Sequence, residues 1–368
     1  MMQRRGRRAL LWTGIMASVC VETAGDFMER IRWGILGAGS IAQRFVAALA
    51  RVEGAELVAI SGRNAERLSA FAAKHRVDMG KCYASADDNG WKAHECLLLD
   101  DDVDAVYIAL PHGLHATWSR RALRAGKAVL CEKPAVLTGS QADEVARAAR
   151  ESGTLFMEAM KPRFTPVRSR VHELLDSGEL GAVASVDVVH LLDYGELRDS
   201  YLLDPDQGGT LYDLGCYGVA WTEDILTGDV AVERAEARWI EGRGGASVDI
   251  SDEVLLRIGD VPVRLDFSGD SQAYKVECRI DCERGSILVP MFHRPSSLLV
   301  TRGNGEPVIE DMPLVVDDFY GEVEHFCELI RSGKSESPIM PLASTVRTAQ
   351  IIDAIRAAWD PRPVPHRA

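Results

Sequence analysis

Apolar residues follow two rhythms along this chain. Residues 31–36 are almost unbroken in their hydrophobicity, and Phe45, Val46 and Leu49 then recur at helical spacing, which predicts a buried strand feeding an amphipathic helix. The unit repeats. Strands are expected at 56–60, 104–110, 128–131 and 154–160, with one helix capped by Asn64 and running to about 75, a second opening near 111–115, and a third started by Thr138 and running to about 152. Such alternation implies a doubly wound parallel sheet with right-handed crossovers. From residue 182 the rhythm changes. Segments 182–193, 231–240, 251–259, 261–269, 273–282, 286–290 and 298–301 have apolar positions at period two and are separated by turn signals such as Gly303-Asn304-Gly305. They predict an open, mostly antiparallel sheet, accompanied by helices at 167–180, 317–332 and 342–359. The expected architecture is α/β: a doubly wound domain over 28–152, then an α+β domain over 153–368 whose last helix packs back on the core.

Composition narrows the partners. A chain of 368 residues is long enough for two domains, and a formal charge of −13 argues against a nucleic-acid partner, which needs a basic face. The eight cysteines form no Cys-x-x-Cys pair, and Cys278 and Cys282 are spaced for one face of a strand. They read as reduced thiols, and no His, Cys or carboxylate cluster has metal-ligand spacing. Residues 1–27 place Arg4, Arg5, Arg7 and Arg8 before an apolar run at 9–21. That run resembles an export leader of the twin-arginine kind, but it lacks a good cleavage site and is too short to span a bilayer. The reading taken is a start set too early, ahead of Met28, and hence a cytoplasmic protein with no membrane partner. Export is the alternative.

The candidate chemistry begins at the first strand's end. Gly37-Ala38-Gly39-Ser40-Ile41-Ala42 has the form of a dinucleotide-binding turn. Gly37 permits the tight bend, Gly39 lets a pyrophosphate approach the backbone, and Ala42 keeps helix and strand close. Ser40 and Ile41 open the helix whose N–H groups would face the phosphates. The second strand ends in Ser61-Gly62-Arg63, with no acidic residue for the ribose hydroxyls. Arg63, helped by the Ser61 hydroxyl, fits a 2′-phosphate, so NADP is expected rather than NAD. Leu110, His112 and His115 follow another strand's carboxyl end and fall where the cofactor would lie. Glu132 and Lys133 follow the next, and a lysine there can polarise a substrate oxygen or move a proton.

Three stretches together resemble the Gfo/Idh/MocA oxidoreductase family: the glycine turn from Gly34 to Ala42, Pro111-His112-Gly113-Leu114-His115, and Ala125 to Pro134 with its Glu132-Lys133-Pro134. The resemblance runs from Ile31 to about Trp359. It implies a Rossmann domain, a catalytic Lys133 near the nicotinamide, an Arg163 on the nicotinamide side of the cleft, and a homodimer through the open face of the second sheet. It also draws attention to Asp213-Leu214-Gly215-Cys216-Tyr217, because most members carry histidine at the Tyr217 position. Tyrosine there is shared with the branch of dimeric dihydrodiol and NADP-dependent D-xylose dehydrogenases. The resemblance implies Tyr217 as the acid/base, its pKa lowered by Lys133, with Asp213 holding substrate or Lys133. Lys133, Asp213, Tyr217 and Arg198 are the expected substrate contacts, and Tyr201 faces either substrate or solvent. The function expected is NADP-dependent hydride transfer at a secondary alcohol of a sugar or cyclic diol. Two alternatives stay open: a sugar oxidoreductase with tightly held cofactor, exported or not, and a non-catalytic dinucleotide sensor.

Overall fold

A computed structural model describes residues 30–86, 90–197 and 200–359, so the leader question and Arg198 lie outside the described residues. The first domain winds β1 (Ile31–Leu36), α1 (Ser40–Leu49), β2 (Ala55–Gly62), α2 (Ala65–His75), β3 (Cys82–Ala84), α3 (Trp91–Leu98), β4 (Ala105–Ile108), α4 (His112–Arg124), β5 (Ala128–Glu132), α5 (Gly139–Ser152) and β6 (Phe156–Ala159). Local chemistry sets the starts: the Asn64 side chain accepts from Arg67 N at 2.8 Å and that of Thr138 from Gln141 N at 3.2 Å, each satisfying a free helix-start donor. All six strands are parallel, in the order β3-β2-β1-β4-β5-β6. The winding reverses between β1 and β4, and there the carboxyl ends of the strands open a crevice for a ligand. Because β6 completes this sheet, the first domain extends to Ala159, past the expected limit at 152. The three-residue β3 is too short to leave a period in the sequence, and α3 was not anticipated.

The second domain adds α6 (Pro166–Asp176), β7 (Val183–Asp193), α7 (Cys216–Ile225), β8 (Val230–Glu241), β9 (Ser247–Ile258), β10 (Val261–Ser268), β11 (Asp270–Cys282), β12 (Gly285–Pro290), β13 (Ser297–Arg302), β14 (Val308–Asp311), α8 (Tyr320–Arg331) and α9 (Leu342–Ala358). Its eight strands follow the order β14-β13-β12-β11-β7-β10-β9-β8. Every pairing is antiparallel except β10 with β7, so the mixed α/β architecture with a mostly antiparallel second sheet is as expected. Alternation is clean in β9, where Val248, Ile250, Val254, Leu256 and Ile258 point inward and Leu255 outward. Helix α7 lies close on the inner face: a Cβ on Gly218 would come within 2.8 Å of the Phe267 ring.

The two domains share a core. Phe45 of α1 stacks on Tyr107 of β4 at 3.8 Å, and Trp33 of β1 meets Phe45 at 5.2 Å and Phe326 of α8 at 5.3 Å. The last third of the chain thus packs against the first strand. At the far end of α9, Trp359 bridges to Ala235 of β8, and its indole N–H donates to Asp252 at 3.1 Å.

Ahead of α7 the backbone takes one wide π-helical turn over Leu211–Gly215, a geometry frequent at functional sites. Asp249 of β9 anchors it, accepting from Leu211 N at 2.8 Å and, through its carbonyl, from the Thr210 hydroxyl at 3.2 Å. Gly209 makes room: its φ is +95°, and a Cβ there would sit 2.0 Å from Asp249 Oδ1. Gly209→Ala is therefore expected to cost about 2 kcal/mol or more, from the left-handed backbone and the displaced carboxylate together. Equilibrium denaturation measures it, and a loss below about 0.5 kcal/mol contradicts this account.

Candidate active site

The nucleotide cradle is built as its residue types require. Gly37 has φ +96°, and a Cβ on it would meet the Ala109 carbonyl at 2.5 Å, so only glycine fits between β1 and β4. A Cβ on Gly39 would meet nothing within 4 Å, and no side chain caps the start of α1. The first-turn N–H groups, with exposed Ser40 and half-buried Ile41, are left for an outside acceptor such as a phosphate. Arg63 is exposed just past β2, and half-buried Leu110 follows β4. This open, donor-rich turn with a cation at the second strand's end suits a dinucleotide carrying a 2′-phosphate.

Lys133, directly after β5, reaches across to the π-helical turn. Its Nζ donates to Asp213 Oδ1 and to the Asp213 carbonyl, both at 2.8 Å. Tyr194, just past β7, donates its hydroxyl to the other Asp213 oxygen at 2.8 Å. Burial alone would raise the Asp213 pKa. The Lys133 charge outweighs it, with His112 and the Tyr194 hydrogen bond adding, and the carboxyl is held down at about 2. Burial opposes the charge on Lys133 too, but Asp213 restores it and holds the ammonium well above its ordinary pKa.

Tyr217, in the first turn of α7, meets this pair by its ring: Lys133 Nζ lies 4.7 Å from the ring centroid, a cation–π contact. Burial drives the phenol well above its usual pKa, and Lys133 offsets only part of that. The expected lowering of the Tyr217 pKa is thus overruled by desolvation in the free protein. The Tyr217 hydroxyl has no partner among the described residues. Beside the ring stand His190 of β7, at 6.4 Å, and His293, at 5.9 Å, stacked on each other at 4.9 Å. Their buried Nδ1 atoms also have no partner.

The remaining expected residues divide. His112 lines the cleft: its Nδ1–H donates to the Gln207 carbonyl at 3.0 Å, which leaves Nε2 to accept from the Tyr201 hydroxyl at 3.3 Å. Tyr201 therefore faces the site. His115 is turned inward: it is buried with Nδ1 2.8 Å from the Pro134 carbonyl and Nε2 2.7 Å from that of Leu110, and the neutral ring, with one N–H, donates to one of the two. Ser61 is corrected as well. Its side chain is wholly buried, with Oγ 2.7 Å from His94 Nδ1 and 3.4 Å from the Ile35 carbonyl, because the last β2 residues still lie inside the sheet. Arg163 is the third correction. Its guanidinium is buried among Glu223, the Ala220 carbonyl, Ser344 and Asp224, so it joins α7 to α9 and is spent there. Glu132 accepts the Tyr107 hydroxyl on Oε1 and Lys133 N on Oε2 at 3.2 Å, which anchors Lys133 and turns the carboxyl inward. Sequence reasoning missed Tyr194, His190, His293 and Gln207. One signal was present: on β7, His190 shares the inward face with Val186 and Val188, a polar residue in an otherwise apolar row.

Comparison with known proteins fits this geometry. A family model described as "Oxidoreductase family, NAD-binding Rossmann fold" matches residues 31–160, and one described as "GFO/IDH/MocA C-terminal domain" matches 169–288. The chain is 30% identical to the D-xylose 1-dehydrogenase (NADP(+)) 2 of Haloferax volcanii over 88% of this chain and 95% of the relative. It is 29% identical to the trans-1,2-dihydrobenzene-1,2-diol dehydrogenase of Mus musculus over 89% and 96%. The crystal structure of a 3-ketoreductase from Actinomadura kijaniata with NADP and TDP-benzene superposes with a TM-score of 0.78 at 27% identity, covering 90% of this chain and 98% of that one.

The buried histidines predict how acid acts on the fold. Burial first, then neighbouring positive charge, pushes His112 down to about 3, His190 to about 4 and His293 to about 3. Unfolded, each takes up a proton below about pH 6.5. The unfolded chain thus binds more protons than the fold between about pH 6.5 and 4, and stability falls as pH drops through that window. The loss at pH 5 is about 2 kcal/mol for each fully buried histidine. Calorimetric melting from pH 7 to 5 checks this, and a flat melting temperature refutes it.

Proposed function

Because the chain belongs to the Gfo/Idh/MocA oxidoreductase family, we propose that it is an NADP-dependent dehydrogenase acting on a secondary alcohol of a sugar or cyclic diol. The observation that carries this reading is the Lys133–Asp213–Tyr217 constellation, in which an ammonium fixed by a carboxylate lies 4.7 Å from the centre of a phenol ring. Two structures of the Actinomadura enzyme carry substitutions at a lysine and a tyrosine separated by as many residues as Lys133 and Tyr217. The named relatives act on a pentose and a cyclic diol, which supports the substrate class.

NADP, when bound, supplies a nicotinamide that accepts or gives a hydride. Arg63 pairs with its 2′-phosphate, and Gly37, Gly39 and the start of α1 hold the pyrophosphate. In reduction the Tyr217 hydroxyl gives its proton to the substrate oxygen, and in oxidation it takes that proton back. Lys133 polarises the same oxygen, and Asp213 with Tyr194 keeps the ammonium aimed. Such a positioned acid/base typically gives about 10²–10⁴-fold in rate. No helix among the described residues is long and apolar enough to cross a membrane, and the site needs none. The outer face of the second sheet carries a ladder of opposite charges, including Arg234–Glu236, Arg264–Asp266 and Arg279–Asp281. The homodimer through this sheet that the family resemblance implies is part of the proposal, and these charges are paired within the chain.

A panel of sugars and diols, followed through the absorbance of reduced nicotinamide, tests the activity. Tyr217→Phe and Lys133→Met should each lower kcat by about 10²–10⁴-fold while NADP still binds. Near-normal turnover by Tyr217→Phe removes the phenol from the reaction. Arg63→Ala should weaken NADP about ten- to hundredfold, the worth of a charged hydrogen bond, and leave NAD binding unchanged. Equal losses for both cofactors would show that Arg63 does not read the 2′-phosphate.

A further inference from the structure

Beside the Tyr217 phenol stand two side chains that the reaction above does not use. His190, on the inner face of β7, and His293, in the turn after β12, stack at 4.9 Å with their planes 24° apart. Among the described residues neither ring has a hydrogen-bond partner, and each Nδ1 is sealed from water. His190 is only 3% exposed. Buried polar groups are nearly always satisfied, so two bare imidazoles side by side need a reason.

Both rings are held in place. His190 is paired on two sides, opposite Phe267 of β10 and Val276 of β11, and the Phe292 ring meets it edge-on at 5.5 Å. The turn that carries His293 is pinned at three points. Met291 N donates to the Val276 carbonyl and Arg294 N to the Met291 carbonyl, both at 2.7 Å, and the Trp221 indole of α7 donates to the Phe292 carbonyl at 2.8 Å. Met291 has φ +51°, a left-handed backbone that costs a non-glycine residue about 1 kcal/mol or more and that clusters at ligand sites. Burial holds His190 at about 4 and His293 at about 3, so at pH 7 each ring is neutral and has one N–H. On Nδ1 that proton would be a buried donor without an acceptor, the rarest kind of orphan. It belongs on Nε2, the nitrogen that is not sealed. The stack therefore offers two N–H donors and no charge.

We propose that the Nε2–H groups of His190 and His293 bind the hydroxyl on the carbon next to the reacting one, which makes the site selective for a vicinal polyol over a mono-alcohol. This assignment rests on the dehydrogenase reading above. A hydroxyl oxygen has two lone pairs and can accept from both rings. The two rings lie 6.4 and 5.9 Å from the Tyr217 ring centre, and Lys133 Nζ lies 4.7 Å from it. With Lys133 on the reacting oxygen, the oxygen at the histidines must be a close neighbour, which oxygens on adjacent carbons are. A substrate without that hydroxyl fills the cleft but leaves both donors dry and unpaired, and the penalty falls on the wrong substrate alone.

The test pairs each polyol with the analogue lacking the neighbouring hydroxyl: D-xylose with 2-deoxy-D-xylose, trans-cyclohexane-1,2-diol with cyclohexanol, and any other polyol that turns over with its own deoxy counterpart. The wild type should prefer the polyol in kcat/KM by about a hundredfold or more. His190→Phe and His293→Phe keep a flat ring but remove the donor, and each should cut that preference about tenfold or more, with NADP affinity and melting temperature kept. His293→Gln, whose amide restores an N–H donor, should recover part of the preference. If His190→Phe does not fold, the two His293 variants decide, since that residue sits in a half-buried turn. Equal losses on polyol and analogue would mark a structural role and overturn the assignment alone, as would a wild type that turns over both members of a pair equally well. A wild type that oxidises nothing in the panel overturns the dehydrogenase reading, and the assignment with it.

Discussion

A single ion pair between the two domains governs the site. Lys133 belongs to the end of the parallel sheet and Asp213 to the turn before α7, 80 residues away. Both are shielded from solvent, with side chains 13% and 18% exposed. Withdrawing two charges from water costs several kcal/mol per ion, and the attraction repays this only when geometry is good and the remaining lone pairs are satisfied. Here Tyr194 takes the second carboxylate oxygen, and the Asp213 carbonyl takes a second ammonium proton. Removing either ion would strand its partner, a loss of about 3–5 kcal/mol in buried pairs. The pair thus ties the end of the first sheet to the turn before α7, and the proposed reaction draws on the same two side chains.

The ion pair depends on a second layer that places Asp213. The wide turn over Leu211–Gly215 needs Asp249 to receive its first free N–H, and Asp249 needs Gly209 to have no side chain. On the other side, Glu132 receives the Lys133 amide, and His115 is packed against the Pro134 carbonyl just after Lys133. Lys133 and Asp213 are thus each held in place by hydrogen bonds from residues around them. A π-helical turn held this way trades helical regularity for direction: it aims a carboxylate out of the second domain toward a lysine of the first.

What the sequence made legible follows from range. The strand–glycine–helix unit, the Asn64 and Thr138 caps and the alternation of the second sheet are set by neighbours a few residues apart, and they appear in the fold nearly as read. That Lys133, Asp213 and Tyr217 come together was legible through motif and resemblance. Arg163 and Ser61 were misread because residue type and position near a strand end do not say which way a side chain turns. Arg163 meets Glu223 from 60 residues and Ser344 from 181 residues downstream, partners no local pattern announces. Ser61 is still within the sheet, where a hydroxyl must find an internal acceptor. His190 lies on β7 and His293 in the turn after β12, and they meet only once the order of the second sheet is known.

Burial decides which proton state the Tyr217 phenol holds in the free protein, and Lys133 lies over the ring face rather than hydrogen-bonded to the hydroxyl. Asp213 claims the ammonium first, so the cation offsets only part of the burial that keeps the phenol protonated. The free protein therefore keeps the phenol protonated, the state that the proposed carbonyl reduction requires. Oxidation must first remove the phenol proton, and two things favour that: a rise in pH, and a positive charge entering the cleft beside Tyr217, where low dielectric magnifies its effect. An oxidised nicotinamide brings such a charge and a reduced one does not. On the proposed reading, the form of cofactor that enters would thus set the proton state of Tyr217, without any residue changing place.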